Sequence, residues 1–266
     1  MHVREAAAGA LGEIGDVRAI GPLCSVLSGY SDGRAAADAL VKIGPPAIEG
    51  VAAVLLGKPD IVDSREMAAR VLGRIGNRAA VSSLIAALNS HVGFRSSCTP
   101  TDALVALGAQ AIEPIAAALR DGDSRAAEVL MRIGTSEAVE RVVDVLDSEN
   151  QDVRSAAAHV LARAGDVRAV PQLVADLHSS EMWQRRYAAE LLGWIASPKV
   201  IEPLVAALRD GSPDVKAAAV AAVGRVLDAG MRTPTEAVQS LIGLLGDQDQ
   251  SVRRPSRPLI TRPSNR

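Results

Sequence analysis

The sequence predicts an all-α fold, a right-handed α-solenoid (superhelix) of about 16 helices stacked in pairs. Three observations carry this. The first is composition: 48% of the 266 residues are apolar, yet the chain has one Phe, two Tyr and two Trp. Its core is therefore built from Ala, Val, Leu and Ile, and Ala and Leu favour helices where a β-sandwich would want aromatic and β-branched strands. The second is self-similarity between "VREAAAGALGEIGDVRAIGPLCSVL" from Val3, "VRSAAAHVLARAGDVRAVPQLVADL" from Val153 and "QRRYAAELLGWIASPKVIEPLVAAL" from Gln184. The third is that each such segment reads as two amphipathic helices separated by turn residues.

One apolar anchor, Leu in seven repeats and Val in the last, recurs at 11, 40, 72, 104, 130, 161, 192 and 223. A unit of about 31 residues is thus iterated eight times over residues 1–250. In the first helix of each unit, apolar residues fall at the anchor, one and four before it and three after it, on one face of a 3.6-residue helix. Four residues past the anchor stand Gly15, Gly44, Gly76, Gly108, Gly134 and Gly165, where a left-handed turn ends the helix without a Cβ clash. The second helix, as in "RAIGPLCSVL" and "KVIEPLVAAL", is closed by Asp, Gly and Ser. A pair this small cannot bury its own apolar face, so neighbouring pairs must stack.

The pattern D-x-x-VR-x-x-AA-x-x-LG-x-IGD-x-RA-x-x-x-L, running over roughly residues 3–254, resembles the HEAT-like repeat named after phycobilisome lyase subunits. The resemblance implies a protein-binding scaffold, with the "VRxxAAxxLG" helix inner and concave and the "RAIxPL" helix outer. On this reading the chain starts at an inner helix and stops where another should begin, since Pro255, Pro258 and Pro263 forbid it. Residues 251–266, with five Arg and no acid, are expected to form a basic, Pro-rich, disordered tail. The absence of a polar cap at either end raises the expectation of end-to-end self-association.

Other classes find little support. The 29 basic and 31 acidic residues give a net charge of −2, and the first 250 residues hold 24 basic against 31 acidic groups. This argues against a general nucleic-acid coat and an anionic-membrane binder. Cys24 and Cys98 suggest neither a disulfide framework nor a thiolate metal site, and no apolar stretch approaches the roughly 20 residues of a membrane span. A soluble cytoplasmic protein is expected. None of the four His, at 2, 91, 159 and 178, is followed by Glu, so the His-Glu ligand pairs of the related deoxyhypusine hydroxylases are missing. No HExxH, phosphate loop or Gly-x-Ser-x-Gly occurs either. The expectation is a non-enzyme without cofactor or metal. A bilin-lyase-like or chromophore-handling subunit is the alternative that the resemblance implies, and nucleic-acid binding in the concave groove is the second.

The positive signals lie on the expected concave face. Two residues past the anchors stand Lys42, Arg74, Arg132, Arg163 and Arg225, together with Trp194, a ridge suited to an acidic protein surface. One turn earlier, Asp38 and Glu128 are placed for i,i+4 pairs with Lys42 and Arg132, leaving Arg70, Arg74, Arg163 and Arg225 unpaired. His159 reads as a solvated surface residue. At 100° per residue Trp183, Tyr187 and Trp194 fall within 40° of one another. With Arg186 beside them, they have the composition of an interface hot spot.

One stretch breaks the repeat. In "SHVGFRSSCTPTD", residues 90–102, no residue has been inserted, but Pro100 occupies the place of Ala7 and Ala157. Thr99, Pro100 and Asp102 spell a helix start, so this inner helix should run only from Pro100 to about Leu107, one turn short. The next unit is shortened as well. The irregular segment 89–125 is read as a central notch, with His91, Phe94, Arg95 and Cys98 as secondary candidates for a site.

Overall fold

A computed structural model of the chain describes residues 2–28, 31–57, 62–88, 99–195, 197–230, 238–239 and 241–243. The described residues form helices and the turns between them, without a strand. The helices group into two compact units, Met1–Arg141 and Val142–Arg266.

The first unit contains α1 (His2–Ile14), α2 (Ile20–Ser25), α3 (Asp32–Ile43), α4 (Ile48–Leu56), α5 (Val62–Ile75), α6 (Arg78–Leu88), α7 (Pro100–Leu107), α8 (Ala109–Arg120), α9 (Arg125–Ile133) and most of α10 (Ser136–Val143). The second contains α11 (Gln151–Arg163), α12 (Val170–Asp176), α13 (Met182–Leu192), α14 (Ile201–Ala207) and α15 (Pro213–Asp228). Odd-numbered helices carry the anchors, and each even-numbered helix is the second member of a repeat. Short 3-10 turns at Val17–Ala19, Pro45–Ala47, Val167–Ala169 and Pro198–Val200 lead into α2, α4, α12 and α14.

Seven of the eight anchors form the core as expected, Leu11 of the first helix being half-buried. Leu40, Leu72, Leu104, Leu130, Leu161 and Leu192 are wholly buried, and Val223 nearly so. The six motif glycines all take positive φ, between 56° and 81°, and Gly134 lies in the left-handed helical region. The Gly that directly follows some anchors has a different cause. A Cβ on Gly12 or Gly193 would sit 2.7 Å from the Cα of Ala39 or Ala222 on the next odd-numbered helix. One on Gly73 would sit 3.1 Å from the Ala103 Cβ. The "LG" of the repeat therefore sets how closely consecutive anchor helices approach, and any side chain there would force them apart.

A second device escapes the sequence reading. Seven residues before the anchor, Arg65, Arg154 and Arg185 reach back to the loop behind their own helix. Arg65 donates to the Gly57 carbonyl. Arg154 donates to the carbonyls of Ser148 at 2.5 Å and Glu149 at 2.9 Å. Arg185 donates to those of Ser179 at 2.9 Å and Ser180 at 3.0 Å. Each guanidinium supplies donors to carbonyls that the preceding turn leaves over. The recurrence of Arg at 4, 65, 154 and 185 was the available signal, although Arg4 instead pairs with Asp32 at 3.9 Å.

The late helix start is as expected. α7 spans Pro100–Leu107, with the Thr99 side chain accepting from the Asp102 amide and the Asp102 carboxylate accepting from the Thr99 amide, a complete capping box. α9 is also short, at 9 residues against 13 for α11.

Candidate functional site

The anchor helices bury one face, so the opposite face is where each unit can meet a partner. In the first unit this face is closed by ion pairs that join consecutive repeats. Lys42 pairs with Glu13 and Arg74 with Asp38, and Arg132 meets Asp102 at 2.6 Å. The expected partners were one turn away on the same helix, Asp38 for Lys42 and Glu128 for Arg132. Stacking brings the carboxylate of one helix beside the cation of the next, Glu13 beside Lys42 and Asp102 beside Arg132. Arg74, expected unpaired, is therefore neutralised by Asp38. Asp102 is held below the usual carboxylate range: donors from Thr99 and Arg132 outweigh the opposing effect of burial, the largest single contribution.

In the second unit the same positions hold different chemistry. Trp183, in the first turn of α13, is 62% exposed, and its neighbour Met182 is 42% exposed. Tyr187, one turn on, is half-buried. Its ring meets that of His159 from α11 edge-on, with centroids 4.7 Å apart and planes at 84°. Trp194 lies beyond the helix: α13 ends at Leu192, and the Trp194 amide donates to the Leu191 carbonyl at 3.0 Å in a tighter turn. The three-membered helical stripe is thus Trp183 and Tyr187 on α13, with Trp194, half-buried, in the turn that follows.

Beneath them is a polar cluster. Glu190 of α13 is buried at 6% exposure, and its Oε1 accepts from Arg186 Nε at 3.3 Å. Arg225 of α15 donates to the Glu190 main-chain carbonyl at 3.2 Å, and its guanidinium lies where a Gly193 side chain would be, 2.9 Å from that Cβ position. Burial works against the Arg225 charge and lowers its pKa, with Glu190 opposing. Two guanidiniums thus meet one residue here, Arg186 at the Glu190 carboxylate and Arg225 at its main-chain carbonyl. Arg163 is half-buried on α11. Arg185 is bidentate to Asp210, at 2.8 and 3.2 Å.

His159 departs from expectation. Its side chain is 24% exposed, and burial among Tyr187 and the end of α12 pushes its pKa down to about 4. It is a neutral, packed imidazole, because Tyr187, which stands where the preceding repeat has Ala156, covers it. Its Nε2 lies 3.9 Å from Oδ2 of Asp176, whose side chain is 2% exposed. Oδ1 of Asp176 accepts from Gln172 at 2.9 Å and Gln184 at 3.2 Å, while Oδ2 has no hydrogen-bond partner. Burial pushes the Asp176 carboxyl up. Sequence reasoning missed this cluster, although a signal was present: Gln184 stands where the flanking repeats have Val153 and Val215, and Asp176 where the next has Ala207.

Of the notch, His91, Phe94, Arg95 and Cys98 lie outside the described residues, as does the tail at 251–266. At the turn between α8 and α9, a cavity of about 430 Å³ is lined by Ile85, Ala118, Asp121, Asp123 and Arg125 among others. Arg125 donates from this wall to the Leu88 carbonyl. Among the described residues no group of three or more His, Cys, Asp or Glu could hold a metal ion, and no helix is long and apolar enough to cross a membrane.

The sequence matches the family described as PBS lyase HEAT-like repeat over residues 3–29 and 64–90. No curated protein matches it. Among solved structures, human deoxyhypusine hydroxylase in complex with glycerol is 20% identical, over 85% of this chain and 98% of that one, with a TM-score of 0.37. An engineered protein is 21% identical, over 94% of this chain and 82% of that one, with a TM-score of 0.39. The complex of CpcE and CpcF of phycocyanin lyase from Nostoc sp. PCC7120 is 20% identical, over 91% of this chain and 88% of that one, with a TM-score of 0.34. The family described as HEAT repeats matches residues 112–190 and 176–257, together more than half of the sequence, and the chain belongs to that family.

Proposed function

We propose that this HEAT-repeat chain is a non-enzymatic protein-interaction scaffold whose docking surface is the outward face of α13, centred on Trp183, Tyr187 and Trp194. The observation that carries the reading is the 62% exposure of Trp183, in a chain whose core is otherwise aliphatic. A large aromatic side chain left in water beside half-buried aromatics and arginines is the composition of an interface hot spot. Position supports the same reading. The residues equivalent to Trp183 in the flanking repeats are Asp152 and Asp214, which suit a solvated helix start. Trp183 gives up that electrostatic advantage, and α13 has neither a side-chain cap nor an acid in its first turn.

Nucleic-acid binding is disfavoured because Glu13, Asp38 and Asp102 occupy three of the ridge cations. Phosphate neutralisation needs arginines and lysines that are not already matched. The test is capture from native lysate with wild type and the double variant Trp183→Ala/Trp194→Ala, each repeated in the presence of an open-chain tetrapyrrole. The expected result is a partner band held by wild type, lost from the variant and indifferent to the tetrapyrrole. Equal recovery by both proteins removes the docking assignment, and a red-shifted absorbance of the mixture would favour the chromophore alternative.

A further inference from the structure

The junction of α11, α12 and α13 buries two titratable side chains: His159, where the flanking repeats carry Glu128 and Glu190, and Asp176, where the next repeat has Ala207. Asp176 Oδ2 is buried without a hydrogen-bond donor, and His159 Nε2 lies 3.9 Å from it. That separation is about 1 Å beyond a hydrogen bond. The rest of the carboxylate is fixed from two sides, by Gln172 on its own helix and Gln184 on α13. The other face of the imidazole is in edge-on contact with Tyr187.

We infer that His159 and Asp176 form a proton-linked latch on the aromatic surface of α13. Uptake of one proton from solvent joins them in a charge-assisted hydrogen bond and draws the imidazole away from Tyr187. The proton resides on Nε2 and is shared with Oδ2, and no other bond forms or breaks. An unsatisfied buried carboxylate oxygen costs free energy for as long as the pair is open, which drives closure once the proton is available. The imidazole is the movable partner, since Asp176 is tied down by two amides.

The surrounding charges have partners of their own, although that of Arg154 also acts on Asp176. On α13, Glu190 is engaged by Arg186 at 3.3 Å. On α11, Arg154 holds Gln172 at 3.3 Å and the carbonyls of Ser148 and Glu149, and acts on Asp176 only through its charge. Arg163 lies one turn beyond His159 on the same helix. In the 3-10 turn before α12, Arg168 and Asp166 close on each other at 2.6 Å. Burial holds His159 neutral at ordinary pH and raises Asp176, so the pair takes its proton below neutrality and as a unit.

The regulatory meaning rests on the docking surface proposed above, but the proton linkage does not, and the chain supplies its own probe. Both of its Trp are in α13 or the turn after it, so intrinsic Trp emission reports this element alone. Emission and far-UV circular dichroism are followed together from neutral to acid pH for wild type, His159→Gln, Asp176→Asn and Tyr187→Phe. Wild type and Tyr187→Phe, which keeps the ring, should show a one-proton change in emission while helicity is constant. His159→Gln and Asp176→Asn, checked as folded by their helicity at neutral pH, should lack it. The latch is overturned if the change survives in both of those variants, if wild type shows none, or if emission moves only together with helicity. A lysate experiment that fails while the emission change persists removes the docking surface and leaves the latch.

Discussion

The two units share a framework and differ in what they place on it. In the first, Glu13–Lys42, Asp38–Arg74 and Asp102–Arg132 tie α1 to α3, α3 to α5 and α7 to α9, each by one carboxylate and one cation. In the second, His159 and Trp194 stand at the corresponding positions, Tyr187 fills the gap, and Glu190 is shared between Arg186 and Arg225. The anchors, the small residues of close approach and the carbonyl-binding arginines are common to both. The lesson is that the repeat constrains the buried face of each helix, and leaves the opposite face to be matched for cohesion or mismatched for recognition.

The strongest test of the shared framework is at the anchors. Leu72→Ala in the first unit and Leu161→Ala in the second each remove a wholly buried side chain. Each should cost about 2–5 kcal/mol, read as the loss of urea midpoint at constant slope. A large disparity between them would mean that the units do not rest on the same packing, and the comparison would fail at its root.

The next effect separates the units by pH. The folded-state pKa of His159 is about 4, against 6.5 for the free side chain, so the folded chain binds this proton less tightly than the unfolded one. Stability is full above 6.5 and is lost as the pH falls from there towards 4. By pH 5 the loss amounts to roughly 2 kcal/mol. Asp176 opposes it, because its raised pKa means that acid relieves the cost of a buried charge. His159→Gln should therefore shrink the gap between urea midpoints at pH 7 and pH 5. An unchanged gap would show that the acid sensitivity lies elsewhere.

What the sequence revealed follows from what repeats. Leu72 and Leu161, Gly134 at its left-handed turn, and the start of α7 at Pro100 were readable because eight copies of one pattern average away local noise, and because Thr99–Asp102 is a self-contained capping signal. The exposed Trp183 was readable as a departure from Asp152 and Asp214. Pairing across helices was not, since the choice of Glu13 over Asp38 for Lys42 depends on how far each helix slides along its neighbour, which no spacing along the chain encodes. For the same reason His159 read as solvated: its burial comes from Tyr187, 28 positions away. The end of α13 at Leu192 was misjudged because the anchor pattern continues to Ile195, which is buried although the helix has already tightened into a turn.

The smallest expected effect bears directly on the ladder. Arg132 and Asp102 are 45% and 29% exposed in their side chains, so solvent competes for both groups and salt screens them. Arg132→Gln should cost only about 0.2–1 kcal/mol, and less still in high salt. Arg225→Gln removes a half-buried guanidinium from the Glu190 carbonyl and leaves the buried Glu190 to Arg186 alone, so its cost should be the larger of the two and less sensitive to salt. Urea midpoints of both variants at low and high ionic strength separate the cases. If Arg132→Gln proved the more damaging, the ladder of the first unit would be a source of rigidity rather than a neutralised surface, and the contrast between a matched face and a mismatched one would have to be drawn from the aromatic residues alone.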